Sequence, residues 1–151
     1  MSVFKKISDE LITQITYLGG AVVFGFVMVI LLSLGFVFEF LRLALGLVAS
    51  YFVIVVIRSI YFVNRPKRQS YSNFIEKLDA SSFPSNHSIR IVLLSLILLE
   101  LSSSIFASIC LVLIALLVFF SRWYLKKHFF VDIVAGAFFG AIIHFGVLFI
   151  F

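Results

Sequence analysis

Across the first sixteen residues, MSVFKKISDELITQIT, the apolar positions Val3, Phe4, Ile7, Leu11, Ile12 and Ile15 recur at steps of three and four. Lys5, Lys6, Asp9 and Glu10 fill the gaps. This spacing predicts an amphipathic helix in the headgroup region of a membrane, residues 1–16, with a frayed polar tail as the plainer alternative. From Tyr17 to Phe38 there is no charge, and about 22 residues suffice to cross a hydrocarbon core of about 30 Å. That run is too long for the core of a signal peptide, and no small-residue cleavage site closes it. Glu39 and Arg42 read as a short connection, and a second span follows from about Leu43 to Val63, with Arg58 near its end.

Residues 64–86 form the one extended polar stretch, punctuated by Pro66 and Pro84, neither of which suits mid-helix. Residues 88–121 are apolar again, interrupted by Glu100 and the triplet Ser102, Ser103 and Ser104. They read as two spans joined by a tight turn near the serines, the first of them short. A single long helix is the competing reading, although it would strand Glu100 at mid-membrane. The last span runs from about Phe129 to Phe151, after the basic segment Arg122 to His128. The fold expected is an all-α integral membrane protein. It has about five transmembrane helices in one bundle over residues 17–151, within a single domain 1–151. With that number of spans, the 64–86 and 122–128 segments fall on one side of the membrane.

Composition agrees with the pattern. Hydrophobic residues make up 63% of the 151 positions and charged residues 13%, far from the balance of a soluble domain. A mean hydropathy of +1.22 excludes disorder as well. The single cysteine, Cys110, rules out an intrachain disulfide. A net charge of +5 on a soluble chain would point to nucleic acid. Here the charges sit in short segments between apolar runs, so anionic lipid or phosphate is the expected partner and nucleic acid is not.

Three polar clusters carry the candidate chemistry. In RSIYFVNRP, Arg58 and Arg65 lie seven residues apart, two helical turns, and would share a face from which both reach an anion. Snorkelling to the interface is the alternative. In FPSNHSIR, Ser85, Asn86 or Ser88 can cap the helix that follows, leaving its N-terminal N–H groups as an anion site. His87 projects from the first turn as a candidate general acid, with Arg90 over the same face. In SRWYLKKHFFVD, His128 and Asp132 are four residues apart and stack on one helix face. A carboxylate there can accept the Nδ1 proton and leave Nε2 outward as a nucleophile. An ion pair at a helix end is the alternative. His144 lies sixteen residues beyond His128, about 24 Å along a helix, which argues against a shared zinc site. It reads as a core histidine or one near the opposite interface.

Together these clusters resemble the signature of the type 2 phosphatidic acid phosphatase superfamily, which also includes the vanadium haloperoxidases. The family pattern is K-x6-R-P, P-S-G-H and S-R-x5-H-x3-D. Here it stands as Arg58-x6-Arg65-Pro66, Pro84-Ser85-Asn86-His87 and Ser121-Arg122-x5-His128-x3-Asp132. Arg58 replaces the family lysine, keeping charge but changing reach, and Asn86 replaces the glycine. The resemblance implies a membrane-embedded hydrolase of a lipid phosphate monoester or diphosphate, working through phosphohistidine without a metal or other cofactor. In the implied roles His128 attacks phosphorus, Asp132 orients it and His87 protonates the leaving oxygen. Arg58, Arg65, Ser85, Asn86 and Arg122 hold the phosphate. Partners are then a phosphorylated lipid substrate and the bilayer, with no obligate protein partner evident. Candidate substrates are prenyl diphosphates, phosphatidylglycerophosphate, phosphatidic acid and the 1-phosphate of lipid A. The composition argues against the soluble haloperoxidases. A non-catalytic lipid-binding or carrier protein retaining an anion pocket is the alternative. The expected location is a bacterial or archaeal plasma membrane. Lys67, Arg68, Lys77, Lys126 and Lys127 on the motif side would put the site inside by the positive-inside rule. Charges kept for phosphate confound that count, and the resemblance favours an outward-facing site.

Overall fold

A run of apolar residues becomes a helix when its backbone groups must be satisfied without water, and it ends where a cap or a glycine offers another solution. The computed structural model describes the backbone of residues 3–151 and the side chains from Lys5 onward. In order the helices are α1 (Val3–Tyr17), α2 (Ala21–Ser33), α3 (Val37–Ile60), α4 (Phe74–Ala80), α5 (Asn86–Leu101), α6 (Ile105–Tyr124) and α7 (Phe130–Leu148). Among the described residues the only β pairing is an isolated bridge between Asn64 and Ser81.

Polar caps account for several boundaries. Asn73 accepts the Glu76 N–H at 2.9 Å and starts α4. Ser85 Oγ accepts from Ser88 N at 3.4 Å at the head of α5, and Ser104 Oγ accepts from Ala107 N at 3.4 Å at the head of α6. The serine triplet therefore divides 88–121 into two helices, and Glu100 lies at the end of one instead of the middle of a longer one. Gly35, at φ 86°, ends α2 in the left-handed conformation, and Phe36 N–H reaches back to Leu31 O at 2.9 Å.

Two expected boundaries differ. The break falls at residues 34–36, so Glu39 and Arg42 belong to the first turns of α3 and not to a connection. A carboxylate in a first turn suits the positive helix end, which is the case for Glu39. The uncharged run 17–38 is also not one helix: α1 and α2 meet at Leu18–Gly20 with a 43° bend. Gly19 causes the bend by close packing, since a Cβ there would sit 2.8 Å from Val118 Cγ1 and 3.3 Å from His87 Cβ.

Helices α3, α6 and α7 are long and apolar enough to cross a membrane, and the bent α1–α2 pair makes a fourth candidate. The fifth expected span, α5, has 16 residues and rises only about 24 Å. It packs on α3, α6 and α7, and Ile89, Leu93 and Ile97 on it are completely buried. Its closest neighbour is α7, where Gly136 and Gly140 let the backbones approach: a Cβ at Gly136 would fall 2.5 Å from Ser85 O. Phe24, Leu43, Ile54, Ile143 and Val147 complete the core. Outward faces of α2, α6 and α7 expose Val22, Phe26, Ile105, Phe106, Phe130 and Phe138. Such apolar surface belongs against lipid, and the chain is an integral membrane protein.

Candidate active site

The C-terminal ends of α3 and α6 and the N-terminal ends of α5 and α7 meet at one end of the bundle, and backbone hydrogen bonds tie the intervening loops together. Ser82 N donates to Val63 O at 2.8 Å, Lys67 N to Lys126 O at 3.0 Å, and Ser85 N to Asp132 O at 3.0 Å. All three sequence clusters are thereby drawn to the same place.

His128 sits in the α6–α7 connection, almost fully buried. Its Nδ1 lies 2.7 Å from Ser82 O, an acceptor only, so Nδ1 carries the proton and donates. Nε2 is then the acceptor, taking the Arg122 Nη2 N–H at 3.3 Å. The imidazole pKa is pushed from 6.5 down to about 2, first by burial, then by Arg122 and Arg65, with Arg58 adding a smaller push and the Ser82 bond opposing. A neutral histidine whose Nε2 faces a guanidinium, within a cluster of positive charge, has the chemistry of a nucleophile beside an anion site.

Asp132 does not occupy the place its spacing predicted. Its Oδ2 is 3.9 Å from His128 Nδ1 and instead accepts the Phe129 N–H at 2.8 Å. As the third residue of α7 it caps the helix, and the Ser82 carbonyl takes the imidazole proton in its stead. The carboxylate remains near enough to act on the ring by charge alone.

The arginines also depart from the helical reading. Since α3 ends at Ile60, Arg65 lies on the loop beyond it and the two do not share a helix face. Arg58 donates to Leu78 O at 2.8 Å and Pro84 O at 2.9 Å, clamping the loop before α5. Arg65 donates to Gln69 Oε1 at 2.8 Å and to Asp79 O. Burial lowers the Arg65 pKa, and the Asp79 carboxylate partly offsets that. Arg122 has no acceptor for Nε, and Arg58 and Arg65 also keep an unpartnered buried Nε. Donors left over in this way are available to phosphate oxygens.

His87 opens α5, half-buried, with Arg122, Arg90 and Arg65 in electrostatic range. Arg90 is turned away from the cluster: Nε donates to Gly19 O at 3.2 Å and Nη1 to Tyr51 Oη at 3.3 Å. It is a tie to the α1–α2 bend. Ser85 is fully buried and its hydroxyl caps α5, whereas Asn86 Oδ1 is buried without a partner. A cavity of about 980 Å³ opens beside His128, lined in part by Lys5, Lys67, Trp123 and Phe129. Ser82 went unnoticed in the sequence because it contributes a carbonyl, which every residue possesses.

The model of the PAP2 superfamily matches residues 39–151, a stretch containing every one of these residues except Lys5 and Gly19. Among solved structures, LpxE of Aquifex aeolicus superposes with a TM-score of 0.77 at 21% identity, over 94% of this chain and 86% of that one. That likeness is one of fold. A protein from Bacillus subtilis, described as the first transmembrane PAP2 type phosphatidylglycerolphosphate phosphatase, gives a TM-score of 0.74 at 25% identity, over 94% of this chain and 75% of that one. No curated protein sequence matches the chain.

Proposed function

Because the chain belongs to the PAP2 superfamily, we propose that it is a membrane-embedded lipid phosphatase whose reaction passes through a phosphohistidine on His128. The observation that carries this reading is the fixed tautomer of that ring, Nδ1 on the Ser82 carbonyl and Nε2 beside Arg122. In the reaction Nε2 attacks phosphorus, while Arg58, Arg65 and Arg122, with the Ser85 hydroxyl and the Asn86 backbone, stabilise charge on the phosphoryl oxygens. His87 protonates the leaving oxygen. Water then cleaves the phosphohistidine, with His87 acting in the reverse sense. The Asp132 carboxylate steadies the positive ring that forms. The arginines supply the positive charge that a metal would otherwise bring, so the reaction needs none. The chain acts as one membrane domain, with α1, the described part of 1–16, in the headgroup layer and the site on the outer face.

The substrate class is a phosphorylated lipid. The Bacillus relative points to phosphatidylglycerophosphate, with prenyl diphosphate, phosphatidic acid and lipid A 1-phosphate as the other members of the panel. Phosphate release from these four lipids, in detergent with EDTA present, tests the reading. Turnover of at least one, lost in His128→Ala and inhibited by vanadate, is expected. Activity that EDTA removes and magnesium or zinc restores would overturn the metal-free mechanism, and no turnover of any would favour a lipid-binding role.

A further inference from the structure

The cavity beside His128 has walls that phosphoryl transfer does not use. Lys5 enters it from α1, Lys67 from the loop after α3, and Lys126 from the α6–α7 connection. Three lysines from segments far apart in sequence thus border one opening of about 980 Å³ that His128 also lines. All three are exposed, and among the described residues none pairs with a carboxylate. Asp9, the acidic residue in the same wall, accepts from the Tyr124 hydroxyl at Oδ1 at 3.0 Å and keeps its charge, so the lysines outnumber it three to one. That bond also holds α1, and with it Lys5, against α6.

Two further observations mark the opening as a built, positive site. Lys126 adopts φ 54°, a left-handed conformation unfavourable for a side-chain-bearing residue, and its carbonyl receives the Lys67 N–H at 3.0 Å. The two lysine backbones are therefore fastened together. The neighbouring Lys127 ammonium is held below its usual pKa by burial and then by Arg65, Arg122 and Lys67. One phosphate monoester on the arginines leaves the three outer lysines in excess over the single Asp9 carboxylate.

We propose that Lys5, Lys67 and Lys126 form a subsite for a second phosphoryl group on the same lipid, distinct from the one transferred to His128. The assignment rests on the phosphatase reading for the identity of the first group. It selects lipids with two phosphoryl groups, either adjacent in a diphosphate or separated by a short polyol in the headgroup. Charged contacts at an exposed rim act mainly through affinity, so the subsite determines KM more than kcat.

Trp123 is the single tryptophan of the chain and lines this cavity, so its fluorescence reports occupancy. Three non-hydrolysable probes are titrated into the full chain in detergent. They are dodecyl phosphonate, dodecyl methylenediphosphonate, and a dodecyl phosphodiester of glycerol carrying a terminal phosphonate. At least one two-anion probe is expected to bind about tenfold more tightly than the monophosphonate. The triple variant Lys5→Ala, Lys67→Ala, Lys126→Ala should erase that advantage, and the corresponding triple arginine variant should restore it. Which two-anion probe shows the advantage tells an adjacent pair from a spaced one. Equal affinity for all three probes, or equal loss for all three in the alanine variant, would overturn the subsite. No bond is cleaved, so the result is read whether or not lipid is hydrolysed. Failure of the phosphatase reading appears separately, as absent phosphate release.

Discussion

His128 shows how much one backbone carbonyl can decide. The Ser82 oxygen at 2.7 Å selects the tautomer, and burial with the surrounding guanidinium groups holds the ring neutral. Two consequences follow with opposite relations to pH. For activity, a nucleophile that titrates near 2 is not lost as pH falls through 6.5. With a substrate lacking its own ionisation in that range, kcat/KM should show no nucleophile-linked fall between pH 5 and 7. For stability, the unfolded chain binds a proton below 6.5 that the folded chain refuses, so stability is full above 6.5 and declines below it. The limit is about 1.4 kcal/mol per pH unit. Thermal midpoints of wild type and His128→Gln, compared from pH 7 to 5, should diverge, with the wild type falling more steeply. Asp132 separates into a cap and a charge. Asp132→Asn keeps an acceptor for Phe129 N–H and should lower activity at little cost in melting temperature. Asp132→Ala should lower both, the lost cap costing about 1 kcal/mol. His87→Ala should impair lipid hydrolysis far more than hydrolysis of p-nitrophenyl phosphate, whose phenolate departs without a proton; equal losses would exclude the general-acid role.

At the scale of elements, the approach of α5 to α7 positions the site. Gly136 faces Ser85 and Ser88, and Gly140 faces Ile89 and Val92, so any side chain there pushes the two helix N-termini apart. Gly136→Val should reduce both activity and thermal stability, whereas substitution at Gly146, with open space around it, should change neither. The opposite ends of the helices are joined by a charge cluster. Arg42 Nη1 is 2.7 Å from Glu100 Oε2, and His144 Nε2 is 2.9 Å from Glu100 Oε1. This joins α3, α5 and α7 about 24 Å along the helices from the site. Glu100→Gln leaves the buried guanidinium without its counter-charge and should cost about 1–3 kcal/mol, reduced by the partial exposure of Glu100. Joint replacement Arg42→Met with Glu100→Leu should recover part of that loss, as read from thermal unfolding in detergent.

For the whole molecule, the candidate site and the charge cluster lie at opposite ends of the bundle, and the outer faces between them are apolar. Sidedness can be read directly. In a Cys110→Ser background, a cysteine placed at exposed Ser70 should react with a membrane-impermeant maleimide in intact cells if the site faces outward. Labelling only after lysis would place it in the cytoplasm.

Composition and the lengths of uncharged runs were enough to establish a helical membrane protein, because continuous apolar runs of about 20 residues satisfy their backbone groups in lipid as helices, whereas barrel strands alternate. Cluster spacing was likewise enough to nominate His128, His87 and the arginines as candidates, since their side chains are visible in the sequence and the fold brings them to one end of the bundle. Helix ends were legible where Ser85 and the serine triplet capped them, and misread at the Gly19 bend, where packing decided, and before α3, where the left-handed Gly35 set the break. Three features belonged to the tertiary structure alone. Ser82 is 46 residues from the ring it orients, Arg58 reaches the Leu78 and Pro84 carbonyls, and Lys5 borders a cavity with Lys126. Each depends on a backbone acceptor that all residues share, or on a meeting of distant segments. Neither leaves a mark in local pattern, because side-chain periodicity records which face is buried and says nothing of what lies opposite it.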